Sequence, residues 1–280
     1  MDENEYRPLA EALSNVVLAA GCAEMRHYHH GTAIETKADA TPVTAADREA
    51  EAIIVAELRR IRPDVPIIAE EETSAGRIPT IGDRFFLVDP LDGTREFISH
   101  CGEFTINIAL IEARHPVFGL VYAPAMGEFY LTLGPSQAFM TRIAPNETAA
   151  RLWASGLTRI ASRAPDPNAL SVIASRLHIN PATELFLAGY RIAERRSAGS
   201  SLKFCMIAKG EADFYPRLGQ TAEWDTAAGH AVLAAAGGTV TTLDGATLIY
   251  GKADARFRNP DFIAWGRVPL RRTSVVAAAP

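Results

Sequence analysis

Three cysteines in 280 residues, Cys22, Cys101 and Cys205, are too few, too scattered and odd in number for a disulfide framework. Their spacing forms no zinc pattern. They fit the reduced thiols of a cytoplasmic protein, with Cys205 as core filler in an apolar helical stretch. No apolar run approaches the length of a membrane span. The start, Met1-Asp2-Glu3-Asn4-Glu5, is acidic and polar, which argues against a secretory signal. Positive charge is short as well. The chain has 28 Lys and Arg against 33 Asp and Glu, a net charge of −5, and no long basic run. A nucleic-acid polymer needs a basic surface, so that class of partner is excluded. No internal repeat is present. What remains is 48% hydrophobic and 22% charged residues, a composition and length for a large core in one or two domains.

Apolar spacing predicts the elements. Leu9, Ala12, Leu13, Val16, Val17 and Ala20 recur at helical intervals, and Ile53, Ile54, Leu58 and Ile61 mark a second helix. Thr44 can cap that helix, with Asp47 three residues later. From residue 85 to 140 the pattern changes to strands. Phe104, Ile106, Ile108 and Leu110 alternate with the small or polar Thr105, Asn107 and Ala109, and residues 117–122 and 129–133 follow at hairpin distance. Two helices on an antiparallel sheet are expected here. Residues 141–158 carry Pro145, Asn146 and Gly156 and read as a link. Beyond them strands at 171–174, 190–194 and 212–215 alternate with helices at 182–188, 201–209 and 226–236, the signature of a mostly parallel sheet. The expected division is 1–145, 146–268 and a loose tail at 269–280.

The segment Asp89-Pro90-Leu91-Asp92-Gly93-Thr94 carries the chemistry. It follows the apolar strand Phe85-Phe86-Leu87-Val88, so two carboxylates leave a strand end together, and Pro90 stiffens the chain between them. Hard divalent cations such as Mg²⁺ take oxygen ligands held in this way and share them with substrate phosphates. A plain turn reads the same residues equally well. An EF-hand loop does not, because its alternating oxygens are absent and His100 stands where its last Glu belongs. Glu70-Glu71-Glu72, after the short strand Val65-Pro66-Ile67-Ile68, is either a solvated loop or a cation site. Asp225, after Trp224, is either an N-cap or a ligand, and Asp47 either closes a capping box or serves catalysis. Lys37 and Asp39 alone are ordinary loop charges.

Taken in order, Thr41-Pro42-Val43-Thr44-Ala45-Ala46-Asp47, Glu70-Glu71, Asp89 to Thr94, and Trp224-Asp225-Thr226-Ala227-Ala228-Gly229 resemble the inositol monophosphatase-like superfamily of Mg²⁺-dependent, Li⁺-sensitive phosphatases. Lys37-Ala38-Asp39, the run Gly102 to Leu110, and Gly199-Ser200-Ser201-Leu202-Lys203-Phe204-Cys205 are similar to its bacterial CysQ branch, the 3′(2′),5′-bisphosphate nucleotidases. The likeness runs from the first helix to Trp265. It implies a layered α/β/α/β/α fold with the active site between the sheets.

The same resemblance implies roles. Glu70, Asp89, Asp92, Asp225 and the Leu91 carbonyl would hold two or three Mg²⁺ and meet the substrate phosphate. Thr94, oriented by Asp47, would help deprotonate the attacking water, with Glu71 behind Glu70. Gly93 and Thr94 would offer N–H groups to the phosphate, where a short helix begins. Gly199, Ser200 and Ser201 would face the substrate. Lys203 and Arg217 would meet its second phosphate, since inositol monophosphatases carry an acid near the place of Arg217. The implied reaction turns adenosine 3′,5′-bisphosphate into AMP and phosphate. The sulfated analogue, 3′-phosphoadenylyl sulfate, is a further implied substrate, in the service of sulfate assimilation. Rival readings are an inositol or sugar phosphatase, and an inactive nucleotide or metal sensor. A sensor would have lost Thr94, Asp47 or a ligand, and none is lost. Ala69 before the acidic pair and Arg95 in place of a Lys depart from the usual pattern without touching a ligand. A homodimer and a peripheral association with the inner membrane face, both found in the family, stay open.

Overall fold

The computed structural model describes residues 1–36, 42–175 and 181–270. Lys37, Asp39, Thr41 and the expected tail beyond residue 270 lie outside the described residues.

The described elements begin with helix α1 (Glu3–His30), strands β1 (Ile34–Thr36) and β2 (Pro42–Thr44), helix α2 (Ala45–Ile61), strand β3 (Ile67–Ala69) and helix α3 (Glu70–Ser74). Strand β4 (Arg84–Asp92) leads to helix α4 (Thr94–Ile98). Then come β5 (Thr105–Glu112), β6 (His115–Ala123), β7 (Glu128–Gly134), β8 (Gln137–Arg142), α5 (Ala149–Ser155) and β9 (Thr158–Ile160). The rest comprises β10 (Leu170–Ser175), α6 (Pro181–Leu187), β11 (Ile192–Ala198), α7 (Leu202–Ala208), β12 (Phe214–Arg217), α8 (Ala227–Ala235), β13 (Thr239–Thr242) and β14 (Phe262–Trp265).

Strands β3 to β9 form a seven-stranded sheet in chain order, parallel at β3–β4 and antiparallel elsewhere. Strand β4 is apolar on both faces. Phe86 and Val88 pack under α1 and α2 with Ile106, Ile108 and Leu110, while Phe85 and Leu87 pack on the opposite side with Val121 and Tyr130. The continuous apolar run is thus a strand buried on two sides. Helices α7 and α8 share that second cluster with Tyr215, Val240, Phe262 and Ala264 of a five-stranded sheet, ordered β11-β10-β12-β14-β13. All its strands run one way except β14. Its outer face packs Phe186 and Leu187 of α6 against Val172 and Phe214. The layers are therefore α/β/α/β/α, as the resemblance implies.

Helix α8 lies close on β6 because Gly119 has no side chain. A Cβ there would stand 2.4 Å from the Ala228 carbonyl oxygen and 2.7 Å from the Ala231 Cβ. The stretch expected as a bare link, residues 141–158, is more structured than that. Thr148 caps α5, whose Leu152 is buried under α1, and β9 adds an edge to the first sheet beside β8. Buried residues of both sheets belong to one cluster, and α5 and β9, beyond residue 145, still pack with the first sheet.

Candidate active site

Thr44 caps α2 as the sequence predicts, and the cap also anchors the Asp47–Thr94 pair. Its N–H and its hydroxyl donate to Asp47 Oδ2 at 2.8 and 2.7 Å. The other carboxylate oxygen, Oδ1, accepts from the Thr94 hydroxyl at 3.1 Å. Three donors thus fix one buried carboxylate, and Asp47 reaches toward the cavity through Thr94.

Strand β4 ends in Asp89 and Asp92. The Leu91 N–H donates to Asp89 Oδ1 at 3.1 Å, a local turn that points the Leu91 carbonyl the other way, 3.4 Å from the Thr94 hydroxyl. Gly93 then takes φ +92° and ψ +43°, a left-handed conformation that opens α4. A Cβ at Gly93 would press on the Glu103 carbonyl oxygen at 3.3 Å.

The tripeptide before α7 joins these acids to the second sheet. Gly199 N–H donates to Glu103 Oε2 at 2.8 Å, Ser200 Oγ to Asp92 Oδ2 at 2.7 Å, and Ser201 Oγ to the Asp225 carbonyl at 2.8 Å. Asp92 Oδ2 also accepts from Asn107 Nδ2 at 3.3 Å, and the hydroxyls of Ser200 and Thr105 touch. Ser200 sits at φ +53°, a strained place for a residue with a side chain. Gly199 packs so tightly on Glu103 that a Cβ would lie 2.5 Å from its carbonyl oxygen.

A cavity of about 550 Å³ is lined by Glu70, Asp89, Leu91, Asp92, Gly93, Thr94, Ser200, Lys203, Arg217 and Asp225, together with Arg95, Glu96, Tyr215, Trp224, Arg256 and Arg258. The acids and cations expected from five separate stretches of sequence are thus brought together. Gly199, Ser201, Asp47 and Glu71 stand behind the lining; the hydrogen bonds of Gly199 and Ser201 go to Glu103 and Asp225.

Charge in this cavity is uneven. Burial, and then the neighbouring carboxylates of Asp92 and Glu70, push the Asp225 carboxyl up to about 8. One of its oxygens accepts from Ala222 N–H at 2.9 Å. Burial likewise pulls the Lys203 ammonium down to about 8. Its Nζ donates to the Ala198 carbonyl at 3.3 Å and lies over the Tyr215 ring. Arg217 donates to the Gln220 carbonyl at 3.0 Å, but its Nε is buried without a hydrogen-bond partner.

Several positioning groups have no conspicuous motif. Glu51, on the apolar face of α2, accepts from the N–H groups of Glu71 and Glu72 at 2.7 and 2.8 Å and so fixes the start of α3 beside Glu70. Burial pushes its carboxyl up to about 7. The one hint is its place four residues after Asp47, among Ile54 and Leu58. Behind Asp225, the fully buried Glu223 accepts from Gly251 N and Lys252 N at 2.7 and 2.9 Å, and Asn259 Nδ2 donates to the Ala222 carbonyl at 2.7 Å. These pairs join segments distant in sequence, so spacing shows nothing of them.

The comparisons agree with this geometry. The model of the inositol monophosphatase family matches residues 5–277. The chain belongs to the inositol monophosphatase family. Within that family it is similar to the 3′(2′),5′-bisphosphate nucleotidase CysQ of Salmonella typhimurium, 38% identical over 91% of this chain and 98% of the relative. The CysQ of Escherichia coli K12 is 40% identical over 82% and 87%. The crystal structure of CysQ from Bacteroides thetaiotaomicron, described as a bacterial member of the family, superposes with a TM-score of 0.77 at 35% identity, covering 94% and 98%. A Thermotoga maritima IMPase follows at a TM-score of 0.71 and 28% identity over 90% and 89%.

Proposed function

We propose that the chain is a metal-dependent 3′(2′),5′-bisphosphate nucleotidase that hydrolyses adenosine 3′,5′-bisphosphate to AMP and phosphate and accepts its 5′-sulfated analogue. The observation that carries this reading is one cavity that holds both an acidic cluster and buried or half-buried cations. Glu70, Asp89, Asp92 and Asp225 line it together with Lys203 and the half-satisfied Arg217. A phosphomonoester of inositol offers no second phosphate for those cations. The names of the CysQ relatives point to the same substrate.

The residues present fit a hard cation. Asp225 carries its carboxyl near 8 because burial, and then the neighbouring carboxylates of Asp92 and Glu70, oppose ionisation, and a cation beside it would offset that opposition. Among the described residues no three Asp, Glu, His or Cys side chains close into a ready-made cage. Mg²⁺ does not need one, since it keeps waters and shares phosphate oxygens. Glu70, Asp89, Asp92, Asp225 and the Leu91 carbonyl would hold it, two or three ions per site. Bound there, Mg²⁺ supplies charge neutralisation for the phosphate and acidifies water.

The chain's own residues do the rest. Thr94 Oγ1 lines the cavity and donates to Asp47 Oδ1, so it can take a proton from the attacking water as it passes its own proton to the Asp47 carboxylate. Gly93 and Thr94 hold the scissile phosphate at the turn into α4. Ser200 and Asn107 hold Asp92 in place by donating to one of its oxygens, leaving the other directed elsewhere. Lys203 and Arg217 draw the 5′-phosphate to their part of the cavity, which sets the substrate in one orientation.

A substrate panel tests the reading. With Mg²⁺ present, kcat/KM is expected to be highest for adenosine 3′,5′-bisphosphate and to fall on addition of Li⁺. Faster turnover of inositol 1-phosphate or fructose 1,6-bisphosphate would overturn it.

A further inference from the structure

We infer that Arg256, with Arg258 beside it, forms an outer anion-binding rim that selects substrates carrying a second phosphate. The inference rests on the nucleotidase reading and adds a specificity residue outside the motifs that support it.

Arg256 lies in a segment that joins the second sheet to the rim of the cavity. Both Arg256 and Arg258 line that cavity and both are exposed. Several exposed arginines elsewhere are tied to carboxylates, as in Arg48 with Glu35 and Arg195 with Glu184. The Arg256 guanidinium makes no hydrogen bond or ion pair with the described residues, although the same cavity holds Asp92, Glu96 and Asp225. An uncommitted guanidinium in the lining of this cavity is a fork of donors suited to a planar or tetrahedral anion.

The backbone beneath it is built to hold that position. Arg256 at φ +51° and Phe257 at φ +57° are consecutive non-glycine residues in the left-handed region. Such a pair persists only where its surroundings over-determine it. Phe257 is fully buried with its ring against Trp224, and its carbonyl accepts from Glu223 N–H at 2.8 Å. Asn259 N–H donates to the Thr221 carbonyl at 2.9 Å, and Arg258 bridges Ala222. The turn is therefore pinned to the residues that immediately precede Asp225. The rim and the acidic corner are registered to each other by one set of main-chain bonds. Lys203 and Arg217 meet the second phosphate from the inner wall, and Arg256 closes on it from outside.

Adenosine 3′-monophosphate carries the same scissile phosphate without the second one, and so reads the rim directly. Arg256→Gly removes the cation and suits the left-handed backbone, which keeps the fold intact; Arg256→Lys keeps the charge. The expected result is that Arg256→Gly lowers the ratio of kcat/KM for the bisphosphate to kcat/KM for the monophosphate by about tenfold, chiefly through KM. Arg256→Lys restores part of that ratio, and the wild-type ratio shrinks at high salt. An unchanged ratio, or equal losses on both substrates, would overturn the role of Arg256. A wild-type enzyme that does not prefer the bisphosphate at all overturns the nucleotidase reading and the rim with it. That outcome is visible before any variant is made.

Discussion

Asp92 is held in place from two sides. Its Oδ2 accepts from Ser200 and Asn107, so its geometry is set by neighbours while its charge is left for the proposed cation. Asp92→Asn keeps the shape, loses the charge and places N–H donors where hard cations need oxygen. The Mg²⁺-dependent rate should fall on the order of a hundredfold or more, with the fold retained by circular dichroism. Activity near that of the wild type would remove Asp92 from the ligand set. Glu24 shows the opposite situation. It is fully buried in α1, neither carboxyl oxygen has a hydrogen-bond partner, and burial, with Asp47 nearby, pushes its carboxyl well above the usual range. The native state keeps a proton there that the unfolded chain releases, so the cost to stability grows as pH rises above about 4.5. Glu24→Gln should raise the urea midpoint at about pH 7.5 and leave it nearly unchanged at about pH 4. Equal shifts at both pH values would show that the carboxyl charge is not the source of the cost.

At the scale of elements, the start of α3 is the point where a helix and a ligand meet. Glu51 holds two N–H groups of its first turn, one residue after Glu70. In Glu51→Gln one of those N–H groups faces an amide N–H, a loss of about 1–2 kcal/mol of local stability. The Mg²⁺ concentration for half-maximal rate should rise about tenfold, with kcat recovered at saturating Mg²⁺. An unchanged Mg²⁺ dependence would separate Glu51 from the metal corner. Elements with strong periodicity or a cap were legible from sequence: α1, α2 with Thr44, and the alternating strands around Ile106. Helix α5 was not, because seven residues with one fully buried leucine carry too little periodicity. Strands β13 and β14 pair antiparallel across a long separation, and β14 reverses the direction that strict alternation of strand and helix predicts. The same contrast divides the site. Asp89, Asp92 and Asp225 announce themselves by motif, whereas Glu51, Glu223 and Asn259 work through main-chain partners that only the fold supplies.

For the whole molecule, stability against pH has two opposing contributions from the core. His230 is buried beside Tyr250 Oη at 3.0 Å and burial pushes its imidazolium down to about 3. The unfolded chain takes up a proton below the ordinary histidine value that the native core refuses. Stability should therefore fall by up to about 1.4 kcal/mol per pH unit as pH drops from about 6.5 toward 3. Glu24 acts from the alkaline side, as argued above. Thermal unfolding followed from about pH 4 to 9 should show a maximum at mildly acidic to neutral pH, and Glu24→Gln should extend that maximum upward. A curve whose alkaline limb is the same in both proteins would rule out this arrangement.

The tripeptide Gly199-Ser200-Ser201 binds Glu103, Asp92 and Asp225 with three successive residues. Two of those acids belong to the first sheet's side of the cavity and the third to the segment before α8. The tripeptide is thus a seam. Ser200 grips the same Asp92 carboxylate that a cation in the acidic corner would use, so loading that corner would act directly on the join between the sheets.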